Sequence, residues 1–462
     1  MVFNNEDTIA AIATGMTDAG ISIIRICGQD AVNVGDKIFK MKSGKTLSDT
    51  ESNTINYGHI YDGDEKIDQV LVSIMRNPKS YTGDDTIEIN CHGGMYVTNK
   101  ILNLVIKNGA RLAEPGEFTK RAFLNGKLDL SQAEAVMDLI ASKNEFALSN
   151  SLSHLSGNVK NSIEKLREKI LYEIAYIESA LDDPEHFDLS GYPEDLHFKV
   201  NELIFIIEKL INNANNGKIR KDGISTVLVG KPNAGKSSFM NMLLGEERAI
   251  VTSTAGTTRD VLSETARIKD IVLNITDTAG IRETGDEIEK IGVSKAREYA
   301  MNADLILYMV DSSVPLDEND DDIIEMLHDR RFMVLCNKSD LTTKVTNQEL
   351  KDIFGDDVIV INISAATNMG MDDFHDALKE MFFKEDFKLN DEIVFTNTRQ
   401  INELNESLSS LKLVIRSIED GMPEDFYSID LKNAYMHLGF ITGQEIDDDV
   451  ADEIFSKFCM GK

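Results

Sequence analysis

The chain has 462 residues, enough for two to four domains at about 100–200 residues each, and its 42% hydrophobic and 27% charged residues with only seven prolines exclude one small module and global disorder. With 48 Lys and Arg against 79 Asp and Glu, the formal charge of -31 argues against coating a nucleic acid or an anionic membrane by bulk electrostatics. No stretch reaches about 20 consecutive apolar residues, and the opening MVFNNEDTIAAIATG carries acids where a signal peptide carries cations, so the expected place is the cytoplasm, without membrane contact.

From Asp7 to about Leu124 the text reads as short strands and turns with some helix: TIAAIA, ISIIRICG, DQVLVSIMRNP, DDTIEINCHGG, then the apolar-periodic YVTNKILNLVIKNG. This predicts a compact α+β domain over 1–124. A helical region follows from Ser131, where Ser131-Gln132-Ala133-Glu134 matches a capping box. Ile163, Leu166, Ile170, Ile174, Ile177 and Leu181 recur at three- and four-residue steps and are expected on one buried helix face. Asp182-Asp183-Pro184 ends that run, an apolar helix follows over roughly Glu194 to Asn213, and NNANNGK marks a boundary near 216. Beyond it STVLVG, IVLNIT, LILYMV, RRFMVLC and VIVINI alternate with helical stretches, the pattern of a parallel sheet with crossover helices. That unit closes near Phe383, and helical periodicity returns from about Thr396 to the terminal FCMGK. The expected organisation is an α/β unit over 218–384 inserted into a helical domain formed by 125–217 and 385–462.

Cys27, Cys91, Cys336 and Cys459 are scattered without C-x-x-C pairing, so neither a disulfide framework nor a zinc knuckle is suggested. The first three are expected to pack as small hydrophobes.

Gly230-Lys231-Pro232-Asn233-Ala234-Gly235-Lys236-Ser237 follows a strand and opens a helix, the context of a phosphate-binding loop. Its N–H groups can wrap phosphate oxygens, Lys236 can reach the β and γ oxygens, and the Ser237 hydroxyl can ligate Mg²⁺, with Ser238 next to it. Asp277-Thr278-Ala279-Gly280 follows IVLNIT, where an acid can hold the magnesium shell and a glycine N–H can sense the γ-phosphate. Asn337-Lys338-Ser339-Asp340 follows FMVLC; the Asp340 carboxylate only accepts, and can take both the N1–H and the exocyclic N–H of guanine, a donor pair adenine lacks. Ser364-Ala365 supplies backbone for the guanine carbonyl. Together these motifs read as a GTP site with Mg²⁺.

The polar run Thr252, Ser253, Thr254, Ala255, Gly256, Thr257, Thr258 lies where a GTPase places its first switch, and Thr258 can add a hydroxyl to Mg²⁺. After DTAG comes Ile281, where Ras-like GTPases carry the glutamine that orients water. Glu289 is a candidate for that work, and a solvated helix acid is the other reading. Arg259 could be an internal arginine finger or a switch arginine paired to a surface acid.

The GTPase text GKPNAGKSS, AGTTRD, DTAGIRET and NKSD is similar to Era-like GTPases. The flanks SYTGDDTIEINCHGG, EPGEFTKRAFLNGKLDLSQAEA, HLGFITGQEI and the terminal Phe458-Cys459-Met460-Gly461-Lys462 extend the likeness. Over essentially its whole length the chain resembles the MnmE (TrmE) family of tRNA-modification GTPases. One departure is visible: the family's Pro-Pro-Gly-rich loop after the first strand is replaced by Gly15-Met16-Thr17-Asp18-Ala19-Gly20.

The resemblance implies a Ras-like GTPase domain inserted into an all-helical domain and preceded by an α+β tetrahydrofolate-binding and dimerisation domain. It implies a homodimer that works with the flavoprotein MnmG (GidA) to install an aminomethyl-type (carboxymethylaminomethyl) group on carbon 5 of the wobble uridine of certain tRNAs. The one-carbon unit would come from a tetrahydrofolate, in its 5,10-methylene or 5-formyl form. K⁺ would sit beside the phosphates on Asn233, Thr252, Thr254 and Thr257, and the family's water-orienting glutamate falls on Glu289. Folate contacts fall on Arg25, Glu88, Lys127 and Lys462, residue types that suit a pterin edge and a carboxylate tail. Cys459 would act in the uridine chemistry. The rival reading is an Era-like RNA-binding switch in ribosome assembly. Such proteins append a basic RNA-binding module, whereas this chain ends in an acidic helix and CMGK.

Overall fold

The computed structural model describes residues 7–183, 186, 190–246, 263–269, 271–277, 299, 301, 303–327, 330–383, 393–444, 448–458 and 461. They form two compact units, one made of 1–141, 151–207 and 402–462, the other of 142–150 and 208–401.

The first unit opens with a seven-stranded sheet of order β3-β4-β5-β6-β2-β1-β7. Its strands are β1 (Ile9–Ile12), β2 (Ala19–Cys27), β3 (Phe39–Met41), β4 (Thr54–Asp62), β5 (Glu65–Met75), β6 (Thr86–Gly93) and β7 (Arg111–Leu112). The pairings are antiparallel except β1 with β7. Alternation decides the faces: Ile24, Ile26, Val72, Ile74, Ile87 and Ile89 point to one side and are buried under helices α1 (Ala31–Ile38) and α2 (Met95–Lys107). On the other face Ile9, Ala11 and Cys27 pack beneath Phe118 of α3 (Glu117–Leu124). Only part of that face is covered: Ile55 and Tyr57 of β4 and Leu71 of β5 are exposed.

The helices of this unit are α4 (Leu130–Ala141), α6 (Asn158–Asp182), α12 (Thr398–Glu419), α13 (Glu424–Thr442) and α14 (Asp448–Ser456), with parts of α5 (Glu145–Leu155) and α7 (Tyr192–Asp222). Ile163, Leu166, Ile170, Ile174 and Ile177 line the buried face of α6, but Leu181, near the end of the helix, is exposed, and Ala180 is the last buried residue. The cap of α4 also differs from expectation. Asp129 accepts from the Gln132 N–H (3.0 Å) while its own N–H donates to Gln132 Oε1 (3.0 Å), so the capping box is Asp129/Gln132, with Ser131 buried inside the first turn.

The asparagine run does not end a helix. Helix α7 continues through NNANNGK to Asp222, with Ala214 buried and a Cβ on Gly217 overlapping Val394, so close packing at 217 overrides the weak helix propensity of Asn and Gly.

The second unit is built on a six-stranded sheet of order β13-β12-β11-β8-β10-β9. Strands β8 (Ile224–Val229), β10 (Ile271–Asp277), β11 (Leu305–Asp311), β12 (Phe332–Asn337) and β13 (Val360–Asn362) run parallel, and β9 (Ser263–Ile268) pairs antiparallel at the edge. Both faces are covered. Leu305, Leu307 and Met309 pack toward α8 (Lys236–Glu246) and α11 (Met371–Phe382), and Ile306, Tyr308 and Val310 pack toward α9 (Glu318–Leu327) and α10 (Asn347–Phe354). Buried on both sides, these strands are continuous apolar runs. Every loop that the sequence singled out for phosphate or base contact in the described residues leaves the carboxyl end of a parallel strand, where open α/β sheets bind ligands.

Candidate functional site

The loop after β8 is shaped by left-handed backbone. Gly230 (φ +152°) and Gly235 (φ +101°) have no room for a side chain: a Cβ would overlap the Met309 carbonyl at 230 and the Asn337 amide at 235. Asn233 also takes positive φ (+65°). The Lys236 ammonium donates to the Gly230 carbonyl and to the Lys231 carbonyl (2.8 Å), which holds it over the loop. Ser237 and Ser238 are exposed on the first turn of α8, whose free N–H groups and dipole favour an anion.

Asn337 ties this loop to the segments that follow β12 and β13. Its side chain is 2% exposed; Nδ2 donates to the Ala234 carbonyl (2.8 Å) and Oδ1 accepts from the Ala365 N–H (3.1 Å). Lys338, in left-handed conformation (φ +59°), pairs with Asp311 (2.5 Å). Burial opposes the charge of Asp311, but Lys338 and Ser313 outweigh it and hold its carboxyl below the usual aspartate value. Asp340 is exposed and accepts from the Ser364 hydroxyl (2.6 Å), while Ser339 donates to the Ile363 carbonyl through both N–H (3.1 Å) and hydroxyl (2.8 Å). Asn233 to Ser238, Asn337, Lys338, Asp340, Ser364 and Ala365 therefore belong to one connected set of loops. Asp277 closes β10 with its backbone in register with Leu228 of β8, at the end of the sheet from which the loop departs.

Sequence reasoning missed Asp311, which closes the apolar run LILYMV and meets Lys338. The acid at a strand's carboxyl end was its only signal.

In the first unit, Arg25 and Glu88 are register partners on β2 and β6, and the Arg25 Nε donates to Glu88 Oε1 (2.9 Å). The guanidinium lies over Phe118 (5.5 Å) and Tyr81 (5.9 Å) and also donates to the Gly461 carbonyl (3.2 Å). Gly461 sits at φ +86°, and a Cβ there would overlap the Ile12 carbonyl. Phe455 and Phe458 anchor the preceding segment among Leu130, Ala133 and Ala451. Lys127 joins neither Arg25 nor Glu88; it donates to the Pro78 carbonyl (3.0 Å), in the loop that carries Tyr81. Cys27, Cys91 and Cys336 are buried, as small hydrophobes would be.

Thr252, Ser253, Thr254, Ala255, Gly256, Thr257, Thr258, Thr278, Ala279, Gly280, Glu289, Cys459 and Lys462 lie outside the described residues, as does Arg259.

Comparison with known proteins covers the whole chain. The family model for the GTP-binding protein TrmE N-terminus matches residues 8–127, and that for the MnmE helical domain matches 130–459. The chain is 52% identical over 457 residues to a tRNA modification GTPase MnmE of Lachnoclostridium phytofermentans, 47% over 460 to that of Alkaliphilus oremlandii and 45% over 457 to that of Clostridioides difficile, each alignment covering 99% of both proteins. Among solved structures, the FeoB G-domain from Methanococcus jannaschii aligns with 35% of this chain and 98% of its own, at 23% identity and a TM-score of 0.26.

Proposed function

Since the chain belongs to the MnmE family of tRNA modification GTPases, we propose that it hydrolyses GTP to drive modification of carbon 5 of the tRNA wobble uridine. The observation that carries the nucleotide half is Asn337, whose amide joins the phosphate loop to the Ala365 backbone and so makes one site of separate segments. Lys236, Ser237 and Ser238 take the phosphates, and Asp340 with Ser364 and Ala365 reads guanine. The oxygen donors suit hard cations: Ser237 and Thr258 for Mg²⁺, and Asn233 with Thr252, Thr254 and Thr257 for K⁺. Bound there, the cations supply positive charge to phosphate oxygens as the γ-phosphate leaves. Glu289 orients the attacking water, with Asp277, Thr278, Ala279 and Gly280 following the γ-phosphate.

The chemistry on the base belongs to the first unit. Arg25 and Glu88 are partly exposed, at 19% and 23% of their side chains, and offer a fork of donors beside an acceptor; this fits the amide edge and carboxylate tail of a tetrahydrofolate, which would supply a one-carbon unit. Lys127 and Lys462 add cations, and Cys459 acts on the uridine. The protein works as a homodimer, and the uncovered sheet face supports this. Tyr57 pairs with Leu71, and Ile55 with Ser73, which pairs with Glu88, so the exposed apolar residues share the face of the Arg25–Glu88 pair. The flavoprotein MnmG (GidA) is the second partner and tRNA the substrate. Among the described residues no helix is long and apolar enough to cross a membrane.

Mass spectrometry of wobble nucleosides in tRNA from cells lacking the protein tests the reading; the modified species should disappear, and an unchanged profile would refute it. GTP hydrolysis should be faster in K⁺ than in Na⁺ at equal ionic strength and should lose that difference in Asn233→Ala. Equal rates in the intact protein would pass the charge to Arg259.

A further inference from the structure

One charged cluster in the second unit is not used by the nucleotide contacts above. Lys231, the second residue of the phosphate loop, places its ammonium 3.0 Å from Asp317 and 2.6 Å from Asp320. Only 16% of the Lys231 side chain and 2% of the Asp320 side chain are exposed. Asp320 is held on all sides. Its Oδ1 accepts from the Tyr308 hydroxyl (2.7 Å), and its Oδ2, which meets Lys231, also accepts from the Asp317 N–H (2.8 Å). Burial works against the ammonium, yet the two carboxylates outweigh it and keep the Lys231 pKa above the usual lysine value.

The backbone of the same residue serves the loop itself. The Lys231 carbonyl accepts from the Lys236 ammonium (2.8 Å) and from the Ala234 N–H (3.3 Å). Whatever fixes Lys231 therefore fixes an acceptor that holds Lys236. The acids that hold Lys231 lie on the segment from Asp311 to Asp320, and that segment is tied at its start to the base-reading loop. Asp311 pairs with Lys338, and Ser312 donates to the Asn337 carbonyl through its N–H (3.0 Å) and hydroxyl (2.8 Å). The 311–320 segment is thus a strap with the base loop at one end and the phosphate loop at the other.

We propose that Lys231 is a positioning residue for nucleotide binding: held by Asp317 and Asp320, it pins the first turn of the phosphate loop to this strap, so that phosphate and base contacts are assembled before nucleotide enters. A preassembled site spends less of its binding free energy on ordering. The gain applies to GDP and GTP alike, because the pinned turn lies outside the reacting atoms. The inference rests on the reading of 230–238 as the phosphate loop.

The test is equilibrium binding of fluorescent mant-GTP and mant-GDP to the full chain in Mg²⁺ and K⁺, with kcat at saturating GTP. Lys231→Met should weaken both nucleotides by roughly ten- to thirtyfold, at and just below the low end of the range for truncating one partner of a buried charge pair, as the Lys231 side chain keeps some contact with solvent. Its kcat should stay within about twofold of intact, the mark of an interaction made equally in ground and transition states. Lys231→Arg should restore most of the affinity. Lys231→Met with Asp320→Asn should bind no worse than Lys231→Met alone, because the buried carboxylate left unpaired is then gone. Should Lys231→Met fail to fold, Asp317→Asn, which keeps the Asp320 contact, should show the same pattern more weakly. Affinities within about threefold of intact, or a fall in kcat at unchanged affinity, would overturn the proposal. A lack of GTP binding by the intact protein would instead refute the phosphate-loop reading.

Discussion

Asn337→Ala probes the contact on which the nucleotide site depends. The side chain is 2% exposed and makes two hydrogen bonds, donating to Ala234 and accepting from Ala365. Each bond contributes about 1 kcal/mol net, and each partner left unpaired in a buried place costs about 1–3 kcal/mol, so the total is roughly 2–4 kcal/mol if water reaches one of the two. At about 1.4 kcal/mol per tenfold, this corresponds to a loss of roughly 30- to 1,000-fold in nucleotide affinity, because in the variant the loops, assembled in the intact protein, come apart in the empty site and must be ordered again by the nucleotide. The backbone carbonyl of Asn337 still accepts from Ser312, so β12 should stay in place and the melting midpoint should fall only modestly. Asn337→Asp is the sharper variant: it keeps an acceptor for Ala365 but presents a carboxylate to the Ala234 carbonyl, and should bind no better than the alanine. Titration with mant-GDP, beside a thermal melt, reads both effects. Binding by Asn337→Ala within about threefold of intact would refute the argument that this amide joins the two loops.

Three further outcomes are expected. Glu289→Ala should lower kcat strongly with GTP affinity nearly unchanged in single-turnover and binding assays, the pattern of a contact made chiefly in the transition state; a mainly weakened affinity would give Glu289 a structural role. Asp340→Asn should weaken GTP and favour xanthosine triphosphate in competition assays, because the amide offers a donor where xanthine carries an acceptor; unchanged base preference would place guanine reading elsewhere. Acid should weaken the first unit through Glu117, whose side chain is 1% exposed against Arg111 and Arg121. Burial pushes its carboxyl up, but Arg111, the Glu114 N–H and Arg121 outweigh this and leave it below the usual glutamate value. A lowered folded pKa means that the stabilisation is complete above the unfolded value of about 4.3 and is lost as pH falls through the folded one. Glu117→Gln should therefore cost roughly 3 kcal/mol near neutral pH, and progressively less in acid melts; a cost independent of pH would count against the ion pair.

The fold was legible where local pattern and tertiary environment agree. LILYMV reads as a strand because both its faces are covered, and ISIIRICG because Ile24 and Ile26 are buried on one face while the other is covered only in part, at Cys27. The pattern misled where packing decides. NNANNGK carries turn residues, yet the helix runs through it because Gly217 lets Val394 approach. Ser131 and Glu134 satisfy a capping spacing as well as Asp129 and Gln132 do, and only the position of the first helical turn selects between the pairs.

The same division runs through the site. The proposed phosphate loop is contiguous, so its glycines, lysine and serine appear in the sequence at fixed spacing, and so does Asn337 to Asp340, proposed to read the base. The groups that hold these segments together are far apart in the chain. Asp311 reaches Lys338 across 27 positions, and Lys231 reaches Asp317 across 86. Nothing in either local pattern marks the partner; the parallel sheet brings them together by placing the ends of β8, β11 and β12 side by side. In the first unit the register of β2 against β6 does this for Arg25 and Glu88, 63 positions apart, and the left-handed turn at Gly461 brings the tail carbonyl to the same guanidinium across 436. Arg25 is thus shared between a carboxylate and the tail. Of its five N–H donors, Nε–H meets Glu88 and one Nη1–H meets Gly461, so three remain on the guanidinium for a ligand that binds beside the seated tail.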